Sequence, residues 1–573
     1  MKPLFPLLLA SAAACASMET MAVTDLILYN AKVYTAEPGQ TLQQAIAVEN
    51  GKILAVGSDA QILKLKNSAT RVIDLGGKVL MPGFIDSHTH LVKGGLQLQQ
   101  ANLDNQDMPL AELERKLRQW RDDGSARRGE FLYVGGVATP TWDHIAELQQ
   151  RFDHGEWAEV PILLAGGDYH TGWANRALRK RAGIDAARVR SLEGEERATI
   201  GHDANGEPNG FLVDAGLYPV QALLPLATDG ELLHALEAAQ RLYHSYGITA
   251  WMEPLANENP GGDIHNDSVG VLPAYQALAA KGGLNAHVAA LLMADSNATP
   301  ADLDQLDKVR RQFPAVPNLS LPGIKVFADG VAEFPAQSAA LLDPYQNSGK
   351  NGELLFDPQA FARLVDAADA RGWLVHVHAI GDRAVRASLD AVAYARQQRS
   401  SGVHHSITHL QMVNPSEFAR FQPLDVIASM QLYWAAADEL SVDLVKPYVS
   451  AMAYQFMYPA RSLLKHGATI AGASDWPITT ADPWKAIYQA VSRQGPKGVL
   501  AKDEAIDRET MFQAYTLNAA RALQLDQHIG SLKPGKQADL IVLDRDVFQV
   551  EPEQLAETQV LQTYFAGRAV FSR

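Results

Sequence analysis

Two His-x-His pairs, His88/His90 and His376/His378, stand out among the 17 histidines of this 573-residue chain. Chance places about 0.5 such pairs in a chain of this histidine content, so neither pair decides anything alone. Their weight comes from Lys325, His409 and Asp475, which sit at the ends of other short apolar runs. Imidazole and carboxylate ligands suit Zn2+ and its neighbours. The chain has one cysteine, Cys15, close to its amino terminus. A metal elsewhere must therefore be held by His, Asp, Glu or a modified Lys.

The runs that carry these residues recur with helical patterns between them, which is the βα spacing of a parallel sheet or barrel. Eight candidate strands are GFIDSHTH (83–90), GITAWMEP (247–254), NAHVAALLMA (285–294), GIKVFADG (323–330), WLVHVHAIG (373–381), HSITHLQMV (405–413), DVIASMQ (425–431) and TIAGASDWP (469–477). They predict a (β/α)8 TIM barrel over 83–526, with its site at the C-terminal ends of the strands. Strand one then offers His88 and His90, strand four Lys325, strand five His376 and His378, strand six His409 and strand eight Asp475. Residues two apart on a strand face the same way, so His88 and His90 point together into the barrel mouth and Thr89 toward the helices. Charged groups are seldom buried unless paired or metal-bound. A shared cation, or two held about 3.5–4 Å apart, accounts for such a gathering. Glu253, ending strand two, is another inward candidate with no assigned role. Asp329 is either a partner of Lys325 or a loop cap, and Asp382 reads as a helix cap rather than a ligand.

About 150 residues separate strands one and two, far more than a βα connection needs. That stretch has its own signals (LAELERKLRQW, FLYVGGVA, VPILLAGGDY) and predicts an inserted α/β subdomain at 100–230. Short strand patterns at both ends predict one small β-sandwich built from 23–82 and 527–573. The expected fold class is thus α/β, a barrel with an insertion and a sandwich made from both termini.

At 47% hydrophobic and 20% charged, the composition is that of a globular protein. A net charge of −15 and the lack of a Lys/Arg block argue against nucleic acid as partner. Residues 1–22, MKPLFPLLLASAAACASMETMA, read as a signal peptide, with Lys2, an apolar Leu4–Ala10 core and a small-residue Ala14-Cys15-Ala16 cleavage site. The run is too short for an integral membrane span. Export to the periplasm is the expectation. A lipidated Cys15 and a cytoplasmic product started at Met18 or Met21 are the alternatives.

The motifs MPGFIDSHTHL, GIKVFADG, VHAIGDRAV, ITHLQMVNP, GASDWPITTADPW, YTLNAARAL and GSLKPGKQADLIVLD occur in this order along the chain. In them the chain resembles the amidohydrolase superfamily, in the branch called amidohydrolase family 3, which includes deformylases of N-substituted formamides. The resemblance implies His88 and His90 on one metal with Asp475 nearby, and His378 and His409 on a second. It implies that Lys325 is carboxylated by CO2 to a bridging carbamate, and that Asp475 binds the first metal and shuttles protons. His378 rather than His376 matches the family's ligand context; His376 faces the same side but lies deeper.

The implied reaction is metal-assisted hydrolysis, in which one or two divalent ions, expected to be Zn2+, activate a water toward a carbonyl carbon. Asp475 serves as general base and then general acid. No Gly-x-Ser-x-Gly elbow or thiol supports a covalent route. GGDYHTGWANRAL (166–178) resembles a family motif whose His and Asn approach the site, which makes His170 a candidate for stabilising the oxyanion or binding a substrate carbonyl. Trp142, Trp173, Tyr433, Trp434 and Trp476 lie in or near predicted rim segments and suggest a partly apolar small molecule. The expected substrate holds a non-peptide C–N bond of the amide type. An ester, lactone or dipeptide substrate, and a non-catalytic ligand-binding or regulatory barrel, remain open, as does a homo-oligomer.

Overall fold

The computed structural model describes residues 24–39, 41–167, 171–262 and 264–573. The leader reading and His170 lie outside the described residues. Among the described residues no helix is long and apolar enough to cross a membrane.

Eight parallel strands form the central sheet: β1 (Phe84–Asp86), β2 (Ile248–Glu253), β3 (His287–Met293), β4 (Leu319–Phe327), β5 (Leu374–Ala379), β6 (His405–His409), β7 (Val426–Met430) and β8 (Thr469–Gly472). Each pairs with the next in chain order, from β1 to β8. The seam between β8 and β1 is joined beyond the ladder by Ser87, whose N–H and Oγ both donate to the Gly472 carbonyl at 3.0 and 2.9 Å. The sheet is therefore a nearly closed (β/α)8 barrel, a TIM barrel. Its strands are short apolar runs buried on both faces, as the interior of a helix-wrapped parallel sheet requires. Small and branched side chains (Ile85, Ala250, Ala289, Leu291, Ile427, Ala471) fill one end of the barrel against Ala519, Ala520 and Leu523. Polar residues are left to the other end.

Two smaller sheets flank one apolar core formed by Leu26, Leu28, Ile46, Val48, Leu80, Leu540, Val542 and Tyr564. One sheet holds Lys52–Gly57, Ala45–Glu49, Leu26–Tyr29 and Arg71–Asp74; the other holds Lys32–Val33 and Val79–Pro82 beside Leu540–Leu543, Val560–Phe565 and Arg568–Ser572. Arg71–Pro82, continuous in sequence, thus contributes to both sheets, with Gly76 and Gly77 in left-handed conformation at the crossing. Between β1 and β2 lies a six-stranded sheet spanning 127–213, with its own core around Leu117, Val134, Phe152, Trp157, Leu164 and Trp173.

One buried polar cluster stabilises the barrel away from the mouth. Asp369 accepts from His405 Nε2 at 2.9 Å, Arg396 at 2.7 Å and Ser401 Oγ at 2.5 Å. His405 Nδ1 in turn accepts from the Val375 N–H, tying β6 to β5. Burial pushes the Asp369 carboxyl up, but the bonds from His405 and Ser401 outweigh it and hold the group at about 2. Its folded-state value is depressed, so its stabilisation is present above 3.8 and is lost as pH falls toward about 2. Asp369→Ala leaves His405 Nε2 without its acceptor and the half-buried Arg396 charge without its carboxylate, and urea unfolding at neutral pH is expected to show a loss of about 3–5 kcal/mol.

Candidate metal centre

The C-terminal ends of the barrel strands bring most of the singled-out polar residues together. β1 stops at Asp86 and β8 at Gly472, so His88, His90 and Asp475 belong to the loops that follow rather than to the strands. Strand alternation therefore does not aim the two histidines. Loop-to-loop bonds do: Asp475 N–H donates to the His88 carbonyl and His90 N–H to the Trp476 carbonyl, both at 2.9 Å. Asp86 anchors this pair of loops, accepting from Ser474 N–H, Ser474 Oγ, Tyr243 OH and His88 N–H. Thr89 turns to the helix layer and meets Tyr243 OH at 2.6 Å.

The result is a tight donor set. One ligand atom each of His88, His90 and Asp475 lies within 4.8 Å of the others. Nε2 of His88 and of His90 are 3.2 and 3.3 Å from Asp475 Oδ1. That buried oxygen nevertheless has no hydrogen-bond partner. An unsatisfied buried carboxylate oxygen is costly, and a cation in its place of contact removes the cost. Asp475 is held at φ 56° and His409 at φ 76°, left-handed conformations that cost of order 1–3 kcal/mol each and occur mainly where the surroundings enforce them.

His378 and His409 follow on the neighbouring rim, their ring centres 4.5 Å apart, with His409 5.1 Å from His88. His378 Nε2 meets the Gly330 carbonyl at 3.1 Å, which leaves Nδ1 as its other nitrogen. His409 Nδ1 meets Gln431 Oε1 at 3.1 Å, and Gln431 is oriented by its own bond to Thr408 Oγ1. Lys325, 1% exposed, sits with its Nζ 4.8 Å from the Phe327 ring centre. Burial lowers its pKa to about 7, with the Asp475 charge pulling the other way. Burial and then Lys325 hold His88 well below the ordinary imidazole value and bring His378 to about 4; burial and then His378 hold His409 well below. Burial works to raise the Asp475 carboxyl, yet the contact from His90, with Lys325 nearby, brings it below the usual value. Neutral imidazoles facing an ionised carboxylate are the protonation states a metal requires.

The remaining candidates have other employment. His376 is fully buried, 2.6 Å from His88 Nδ1 on one side and from Ser406 Oγ on the other. Asp329 is a loop cap, accepting from Ala340, Ile380 and Gly381 N–H groups, with His378 Nε2 3.8 Å away. Asp382 opens the helix Asp382–Gln398 and accepts from Leu342 N–H. Glu253 accepts from Tyr275 OH and Val92 N–H, and burial raises it to about 8. Trp173 belongs to the core of the inserted sheet, so its ring does not reach a rim. Trp476 covers Gly94, where an added Cβ would lie 2.3 Å from the indole. Trp434 is half-buried and stacks flat on His409, with 5.4 Å between ring centres and 5° between planes. Ser406 in β6 and Gln431 just past β7 escaped the sequence reading because ordinary polar side chains there carry no spacing signal.

The sequence profile of the amidohydrolase family matches residues 71–571. Protein LONG AFTER FAR-RED 3 of Arabidopsis thaliana is 30% identical over 561 residues, covering 96% of this chain and 92% of its own. N-substituted formamide deformylase of Arthrobacter pascens is 26% identical over 574 residues, covering 96% and 98%. Among solved structures, an uncharacterized metal-dependent hydrolase of Pyrococcus horikoshii superposes with a TM-score of 0.71 at 24% identity, over 92% of this chain and 99% of that one. The match covers most of the chain, including every barrel strand and the rim residues just described, and the chain belongs to the amidohydrolase family.

Proposed function

We propose that this chain is a metal-dependent hydrolase that cleaves a non-peptide, amide-type C–N bond in a small molecule. The observation that carries the reading is the buried Asp475 Oδ1, without a hydrogen bond, facing the Nε2 atoms of His88 and His90. His88, His90 and Asp475 would hold one divalent ion, and His378 and His409 a second, with Zn2+ the best match to the donor set. A bound ion there supplies Lewis acidity toward a carbonyl and makes water a nucleophile near neutral pH.

The chain's own groups supply the rest. The ionised Asp475 carboxylate takes a proton and returns it to the leaving nitrogen. The free amine of Lys325 would add to CO2, its lone pair forming the N–C bond as one C=O π pair moves onto oxygen, and an N–H proton passes to water to leave a carbamate anion. Its lowered pKa keeps a large share of the amine unprotonated near pH 7. Trp434 shields one face of His409 from water. The amide assignment is supported by a relative whose name specifies deformylation of N-substituted formamides.

Chelator-stripped protein is expected to lose at least about 10²-fold of its turnover on an N-substituted formamide and regain it with added Zn2+. The same panel should include other amides, esters, lactones and dipeptides. Turnover confined to esters or dipeptides would move the substrate class, and zinc-loaded protein inert on every member would defeat the hydrolase reading.

A further inference from the structure

We propose that His376 is a positioning residue that fixes the tautomer of His88, so that Nε2 of His88 is left free for a metal. The inference rests on the reading of His88 as a metal ligand and adds to it the residue that sets its proton.

The chain of contacts is short. His88 Nδ1 and His376 Nε2 are 2.6 Å apart, and His376 Nδ1 and Ser406 Oγ are 2.6 Å apart, all buried. The β4–β5–β6 ladder places these residues in register: His376 pairs with Lys325 on one side and Ser406 on the other. A neutral imidazole has one donor and one acceptor nitrogen, so the chain admits two proton arrangements. In one, Ser406 donates to His376, His376 donates to His88 Nδ1, and His88 carries its proton on Nε2. In the other, His88 Nδ1 donates to His376 Nε2, His376 Nδ1 donates to Ser406 Oγ, and His88 Nε2 keeps its lone pair.

The site side selects the second arrangement. His88 Nε2 lies 3.2 Å from Asp475 Oδ1, yet Oδ1 accepts no hydrogen bond. A proton on Nε2 is thus not used there, whereas a lone pair on Nε2 is what a cation requires. Metal-bound histidines commonly place the other ring N–H on a carboxylate, carbonyl or water. Here the acceptor is a second imidazole, itself backed by a hydroxyl. The ring nitrogens of His376 are taken up by His88 and Ser406, so it would act on an ion only through His88.

The test is zinc affinity of the apoprotein, measured by competition with a chromophoric chelator, with circular dichroism confirming the fold of each variant. His376→Leu offers no acceptor and is expected to weaken zinc binding about 10–100-fold. His376→Gln, which can accept through Oε1 and donate through Nε2, is expected to come back to within about threefold of wild type. Ser406→Ala leaves His376 Nδ1–H without an acceptor, favours the wrong tautomer, and is expected to weaken zinc binding about three- to tenfold. Zinc affinity within twofold of wild type in both His376→Leu and Ser406→Ala would overturn the proposal, as would His376→Gln binding no better than His376→Leu. Should His376→Leu not fold, Ser406→Ala and His376→Gln decide it: an unaffected Ser406→Ala or a tenfold-weakened His376→Gln sinks it. His88→Ala in the same assay separates the two levels, because full zinc binding there removes the reading of the centre itself.

Discussion

Asparagine in place of Asp475 is expected to lower kcat at least about 10²-fold, the lower end of what a positioned acid–base group contributes. Zinc per chain should fall at the same time. Asparagine keeps the shape of the side chain but has no charge, takes no proton at neutral pH, and presents an NH2 group where an oxygen now faces His88 and His90. The substitution also spares the backbone. Residue 475 sits at φ 56°, and asparagine is among the residues that best tolerate this left-handed region. Thermal unfolding of the apoprotein should therefore stay close to wild type, which separates a lost site from a lost fold. Turnover and metal content both intact in Asp475→Asn would refute the role. Turnover lost with zinc retained would assign Asp475 to proton transfer alone.

The barrel is legible in the sequence because its strands are apolar runs of the right length at βα spacing, and periodicity is a local signal. Which side chains end up at the mouth is also legible for His88, His90 and Asp475, since residues just past strand C-termini collect there whatever the loop does. How they converge is not. The sequence reading aims His88 and His90 by strand alternation, whereas the strand has already ended at Asp86. The aim comes from bonds between the loops after β1 and β8, where Asp86 and Ser474 are 388 residues apart, which no local pattern encodes. Asp86 shows the same limit: a short carboxylate in the middle of FIDS reads as part of a strand, but it is the acceptor that fastens both loops. Trp173 fails in the opposite way. Its neighbourhood resembles a site motif, but its ring packs into the core of the inserted sheet, because a large apolar side chain gains more by burial than by lining a wet rim.

The distribution of charge at the mouth also makes physical sense of its burial. Burial keeps His88, His376, His378 and His409 neutral, and it pushes Lys325 toward its neutral form as well. These neutral imidazoles offer ring-nitrogen lone pairs beside an ionised carboxylate, an arrangement that a divalent ion stabilises.

Lys325 gives the sharpest test of what that arrangement is for. Lys325→Arg keeps a cation in the pocket but cannot form a carbamate, and Lys325→Ala removes both. If Lys325 were only an ion-pairing group, arginine would preserve most of the activity. If Lys325 is carboxylated, both variants should lose at least about 10²-fold in kcat and bind less zinc, because an anionic pair of oxygens is missing from the metal's neighbourhood. Wild-type protein refolded or reloaded with zinc in CO2-free buffer should be slow to regain activity, and bicarbonate should speed it. Carbon-13 bicarbonate should place a carbamate signal in the zinc-loaded protein and none in Lys325→Arg. The carbamate and the metal should also leave together, since a buried anion without its cation is unfavourable and decarboxylation relieves it. Full activity in Lys325→Arg, or reactivation indifferent to bicarbonate with no carbamate signal, would return Lys325 to the status of a buried amine that tunes the surrounding histidines by its charge alone.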